Sequence, residues 1–140
     1  MEIKYTHSWF KQNYDHFDKW FNPETFRWWY GYFLAKCYPK RFDEWFDPDK
    51  FNSIHSRYLA EYCSEHFNKW FNPKTFDWYY GSSSLVYFCR KDFKKWFNPK
   101  TFDWYYNDLL VKRCMEHIDI WYDSSKFDKS YDELLIESIK

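Results

Sequence analysis

Residues 67–73 read Phe67-Asn68-Lys69-Trp70-Phe71-Asn72-Pro73, and the reading of this heptad decides the fold. It occurs earlier as Phe17-Asp18-Lys19-Trp20-Phe21-Asn22-Pro23 and as Phe42-Asp43-Glu44-Trp45-Phe46-Asp47-Pro48. It returns as Phe93-Lys94-Lys95-Trp96-Phe97-Asn98-Pro99 and, faded, as Ile118-Asp119-Ile120-Trp121-Tyr122-Asp123-Ser124. A fixed period within about 20–50 residues is the signature of a repeat array, built from one small unit stacked on copies of itself. The functional question therefore moves from a catalytic pocket to a surface.

Asn or Asp followed by Pro reads as a helix start: the side-chain oxygen takes a free amide, and proline has none to waste there. Five helices are expected to begin at Asn22, Asp47, Asn72, Asn98 and Asp123, with the preceding helix ending near Phe21, Phe46, Phe71 and Phe97. Gly31, Ser56, Gly81, Asn107 and Asp132 each stand eight residues past the proline position and mark the end of a two-turn helix A, Gly and Asn by tolerating the left-handed conformation, Ser and Asp by starting the next helix. A longer helix B then carries apolar residues at steps of three and four, such as Tyr58, Leu59, Tyr62, Cys63, Phe67 and Trp70. One continuous helix over 50–71 is the alternative for the second unit. Pro39 should kink helix B of the first unit. The expectation is an all-α, short helical-repeat array, α-solenoid-like. It has a lone helix over 4–21, units at 22–46, 47–71, 72–97 and 98–122, and a capping repeat over 123–140.

Sixteen Phe, 14 Tyr and 10 Trp among 140 residues supply a large apolar area, yet the mean hydropathy is −0.90. No apolar run approaches the ~20 residues of a membrane helix. Residues 1–15 lack the pattern of a signal peptide, so a soluble protein is expected. The 21 basic and 21 acidic side chains cancel. That balance disfavours nucleic acid, whose binders carry a basic excess. The short run Arg90-Lys91-Asp92-Phe93-Lys94-Lys95 reads as a solvated face. Cys37, Cys63, Cys89 and Cys114 fall about one per repeat, too far apart in a stack for disulfides. Free, buried thiols and a cytoplasmic location are expected.

Comparison between units sorts the rings. Phe26, Phe51, Phe76, Phe102 and Phe127 recur, and Tyr30, His55, Tyr80, Tyr106 and Tyr131 stand four residues on, so both positions are assigned to the core face of helix A. Trp20, Trp45, Trp70, Trp96 and Trp121 are assigned to the core as well. The fifth and sixth positions after the proline differ. They read Trp28-Trp29, Trp78-Tyr79 and Trp104-Tyr105, but Ser53-Ile54 and Lys129-Ser130 in the other two units. A position that accepts Ser or Lys is not deeply buried throughout. Two placements fit: an exposed aromatic ladder that binds a partner, or rings packed between adjacent units.

Chemistry is sparse. Cys63 and His66, and Cys114 and His117, sit one helical turn apart, but Cys89 and Asp92 lie between them and no four-ligand zinc set forms. Two glycines cannot build a phosphate loop, and no carboxylate pair stands out. Neither an enzyme nor a cofactor is expected.

The phrases Tyr62-Cys63-Ser64-Glu65-His66-Phe67 and His66-Phe67-Asn68-Lys69-Trp70-Phe71-Asn72-Pro73 resemble aromatic tandem repeats in proteins of large DNA viruses and other AT-rich genomes. The resemblance covers about residues 13–127 and implies a repeat family, a viral setting and a host-cytoplasm location, with no catalytic residue. The function expected is a non-enzymatic scaffold for protein–protein interaction, with Trp28, Trp29, Trp78, Tyr79, Trp104 and Tyr105 at the interface. The alternatives are single-stranded nucleic-acid binding by stacking on the same rings and a structural, self-assembling role.

Overall fold

The computed structural model describes residues 5–126, so the expected capping repeat lies mostly outside the described residues. Ten short α-helices pack against one another, and no strand occurs among the described residues. One series comprises α1 (His7–Gln12), α3 (Gly31–Cys37), α5 (Ser56–Tyr62), α7 (Trp78–Phe88) and α9 (Asn107–Arg113). Each member touches the next along the chain. The other series is single turns: α2 (Phe17–Trp20), α4 (Phe42–Trp45), α6 (Phe67–Trp70), α8 (Phe93–Trp96) and α10 (Ile118–Trp121).

The Asn/Asp-Pro signal starts a turn, but helix A does not form. Asn22, Asp47, Asn72, Asn98 and Asp123 each accept, through the side chain, the amide two residues on, at 2.9–3.0 Å. The first four also close one turn onto Phe26, Phe51, Phe76 and Phe102 at 2.8–2.9 Å. The chain then becomes extended at Arg27, Asn52, Asp77 and Asp103, with ψ of 91–117°. The main helix begins just beyond. Its cap is the side chain of Asn52, Asp77 or Asp103, a second cap that the Asn/Asp-Pro pattern does not signal.

Helix B is broken too. The chain leaves helical geometry at Asn13, Tyr38, Cys63, Cys89 and Cys114 and again three residues on, and the 3₁₀ turn between leads into the next helix. The expected kink at Pro39 is therefore common to every unit, and proline merely fits a place where the chain already breaks. The continuous helix over 50–71 is broken at the same two points. The lone helix over 4–21 is likewise three pieces among its described residues.

Indoles tie the break inside helix B in every unit, and the break after the proline turn in all described units but the second. Trp20, Trp45, Trp70, Trp96 and Trp121 donate Nε1–H to the carbonyls of Asn13, Tyr38, Cys63, Cys89 and Cys114, at 2.7–3.2 Å. Trp28, Trp78 and Trp104 donate to the carbonyls of Pro23, Pro73 and Pro99, at 2.9–3.1 Å. In a continuing helix those proline carbonyls would accept an amide four residues on. The core runs along the stack as Leu34, Leu59, Leu85 and Leu110 with Phe17, Phe42, Phe67 and Phe93 and with Trp45, Trp70, Trp96 and Trp121, while Trp20, at the open end, is half-buried against it.

No described residue has positive φ, so Gly31 and Gly81 end no helix. Gly31 opens α3, where an added Cβ would lie 3.2 Å from the Phe51 ring. Ser56 and Ser82 are buried and take amides of the following unit, Asp77 and Asp103, at 3.0 and 3.1 Å. Ser82, not Gly81, is therefore the counterpart of Ser56. Gly81 is the extra residue of the 26-residue third unit. It lets α7 run on as α-helix from Trp78, where the other units hold a 3₁₀ turn. A Cβ on Gly81 would fall 2.4 Å from Phe76.

Replacing Gly81 with Val should lower stability by about 1–3 kcal/mol through overpacking against Phe76. Deleting Gly81 should instead leave a cooperative fold, since the shortened segment matches the fourth unit. Urea denaturation of both variants checks this.

Candidate functional site

The expected ladder divides into two rows. The fifth-position rings Trp28, Trp78 and Trp104 are half-buried. Each indole stands edge-on to two phenylalanines, the one that precedes the proline turn and the one that closes it: Trp28 to Phe21 and Phe26, Trp78 to Phe71 and Phe76, Trp104 to Phe97 and Phe102, at centroid distances of 5.1–6.2 Å. With their N–H groups spent on proline carbonyls, these three rings are part of the scaffold.

The sixth position faces out. Trp29 is 58% exposed, Tyr79 69% and Tyr105 83%, and Ile54 holds the same place in the second unit at 43%. The pair Ser53-Ile54, taken together, reads in the sequence as a gap in the ladder. The gap is at Ser53 alone, and Ile54 continues the outer row. That continuity is visible in the hydropathy of the pair once its two members are scored separately.

The seventh position departs from expectation as well. Tyr30 and Tyr106 are half-buried and pack against the core from its edge, His55 is half-buried and Tyr80 is exposed, so none lies within it. The extended residue after each core phenylalanine rotates the next turn of the chain, and the four-residue spacing no longer marks one face. His55 sits against Trp29, Tyr32 and Tyr58 at 5.0, 4.9 and 6.0 Å. Its burial pushes the imidazole below its ordinary pKa. Arg57 lies over the rings of Tyr58 and Tyr80. In the third unit, Tyr87 and Phe88 add further exposed rings, with Arg113 over Tyr87.

The Cys/His pairs serve packing. His66 lies flat on Phe42 and His117 on Phe93, each at 4.5 Å, and Arg41 covers Phe17 in the same way. Each of these phenylalanines stacks on its other face against Phe46, Phe97 or Phe21. Asp92, the counterpart of His66 and His117 in the sequence, pairs instead with Lys95 at 3.4 Å. Among the described residues no group of three or more His, Cys, Asp or Glu side chains could hold a metal ion.

All four cysteines are free thiols. Cys63, Cys89 and Cys114 share one position, but Cys37 is displaced by one residue and Tyr38 takes their place. Cys63 and Cys89 point their sulfur at the carbonyls of Ala35 and Ala60 in the preceding unit, at 3.8 and 3.7 Å. Burial pushes Cys63 and Cys89 up to about 12 and Cys114 to about 11. Such thiols are poor nucleophiles.

Two cavities bear on the surface. One of about 570 Å³ lies between Tyr87 and Tyr105, against Asn107 and Leu109. The other, of about 300 Å³, lies beside Ser53, between the second unit and the third. No helix is long and apolar enough to cross a membrane among the described residues. No protein-family model, curated protein or solved structure matches the chain.

The raised thiol values fix a pH dependence. Below about pH 9 these thiols are neutral in both folded and unfolded chains. Above it they ionise in the unfolded chain while the folded ones stay neutral, so stability falls with rising pH, by up to about 1.4 kcal/mol per unit per thiol. Between about pH 9 and 11 the urea midpoint should fall more steeply for the parent chain than for Cys63→Ala/Cys89→Ala. Native-state labelling should modify half-buried Cys37 well before the other three.

Proposed function

We propose that this protein is a non-enzymatic repeat scaffold that binds another protein through its outer row, Trp29, Ile54, Tyr79 and Tyr105. The single observation that carries the reading is the exposure of all four at one equivalent position, while the neighbouring row is committed to the scaffold. Trp and Tyr dominate interface hot spots because they bury large area with few rotatable bonds. Exposed apolar groups arranged in a row call for a partner more than the same groups scattered singly. Tyr80, Tyr87 and Phe88 widen the row at the third unit, and Arg57 and Arg113 supply charge beside rings. The buried thiols suit a reducing compartment such as the cytoplasm, that of the host if the source is viral.

The test is the triple variant Trp29→Ala/Tyr79→Ala/Tyr105→Ala. The three side chains are exposed, so the melting temperature should stay within a few degrees of the parent. Capture of a partner from cell extract should fall by about tenfold or more. Equal capture by the triple variant would remove the row from the function. Binding of single-stranded oligonucleotides that weakens steeply with salt and is lost in the same variant would replace the protein partner by nucleic acid.

A further inference from the structure

Three units close the same space with a ring of their own. Trp28, Trp78 and Trp104 lie edge-on to a pair of phenylalanines and give their N–H to the proline carbonyl, at 3.1, 3.1 and 2.9 Å. The second unit has Ser53 at that position. Its phenylalanines, Phe46 and Phe51, are in place, and so is Pro48. The turn that presents the proline carbonyl is also the same: Asp47 accepts the Asp49 amide through its side chain at 2.9 Å and the Phe51 amide through its carbonyl at 2.9 Å. No described residue donates to the Pro48 carbonyl. The space is open as the cavity of about 300 Å³, lined by Phe46, Pro48, Phe51 and Ser53, floored by Leu59 and Trp70. That volume is at the lower end of the ~300–1,000 Å³ typical of ligand pockets.

We propose that this cavity is a binding site for an indole ring, supplied as a tryptophan side chain of a partner polypeptide. The walls offer two phenylalanine rings and one main-chain acceptor, the set that the chain's own tryptophans satisfy three times. A phenyl ring would fill the space and leave the acceptor unused, so the site selects tryptophan over phenylalanine. Asp49, Asn72 and Thr75 stand with the apolar residues around the cavity and suit a peptide backbone more than an apolar ligand. Ser53 adjoins Ile54 of the outer row, so a chain lying along that row passes the cavity. The choice of a polypeptide as the source of the ring rests on the proposed interface; the selectivity for indole rests on the repeat geometry alone.

The experiment is a titration of the full chain with N-acetyltryptophanamide, monitored by amide NMR shifts at Ser53, Ser56 and Thr75. Saturable shifts are expected, with half-saturation at about 0.1–1 mM and several-fold weaker binding of N-acetylphenylalaninamide. Ser53→Trp, which restores the ring of the other units, should raise the melting temperature and weaken the titration by about tenfold or more. Absence of saturable shifts up to about 10 mM in the parent chain overturns the proposal without any variant. So does undiminished binding to Ser53→Trp, or to Ser53→Met should the larger ring not be accommodated. Binding of free indole without binding of N-acetyltryptophanamide also overturns it, because the source would then not be a polypeptide. The triple variant of the outer row should titrate like the parent. If partner capture is lost in that variant but unchanged in Ser53→Trp, the outer row stands and the cavity falls.

Discussion

The hydrogen bond from an indole N–H to a main-chain carbonyl is the interaction on which this fold depends. Each full unit breaks its helices at three places: after its core phenylalanine, at the residue seven before the heptad tryptophan, and at the phenylalanine that follows that tryptophan. Chain that folds back on itself within 25 residues needs such breaks, and each break spoils the regular pairing of backbone groups. Trp70 and Trp78 are long enough to reach back seven and five residues, and rigid enough to be held there by neighbouring rings. Tryptophan is one of few apolar side chains that fill a core and still donate a hydrogen bond. The aromatic content of the sequence is thus largely a structural requirement, and only the remainder is free to recognise anything.

That division appears at adjacent residues. Trp78 is bound to Pro73 and wedged against Phe71 and Phe76, while Tyr79 beside it faces solvent. The links between units are of unequal weight. Buried thiols, serine hydroxyls and stacked histidines join one unit to the next inside the packing, where a few contacts are decisive. The ion pairs Lys50–Glu24, Lys69–Asp43 and Arg41–Asp18 run in parallel on the exposed edge, where such pairs contribute little. Alignment of the stack therefore comes from shape and main-chain bonding, and the surface charge is left balanced.

The period, the all-helical class and the role of the heptad as scaffold were legible in the sequence because they depend on local spacing. The features that were not legible depend on contacts that spacing does not carry. The turn at Asn72-Pro73 stops short of a helix because the chain becomes extended at Asp77, as it does at Asn52 where no indole takes the proline carbonyl, and nothing in the cap signal announces that. Tyr80 left the core for the same reason, since one extended residue at Asp77 undoes the helical spacing from Phe76. Counting from proline paired Gly81 with Gly31, whereas the bond from Asp103 to Ser82 identifies the serine as the true counterpart. Trp29, Tyr79 and Tyr105 stand out in the sequence as the outer row, whereas Ile54 does not, because the polar Ser53 beside it masks the pattern.

The extra residue at Gly81 shows how such a chain tolerates errors of length. Most insertions in a packed stack would shift every later side chain to a new face. Here the cost is confined to one junction, where a 3₁₀ turn and a full α-turn differ by one residue and hand on the same direction. Leu85, Cys89 and Trp96 recover the positions of Leu59, Cys63 and Trp70 immediately afterwards. Each unit thus carries its own joint for correcting phase. A one-residue change of length at that joint stays within the unit where it falls, and the outward-facing residues of the later units keep their places.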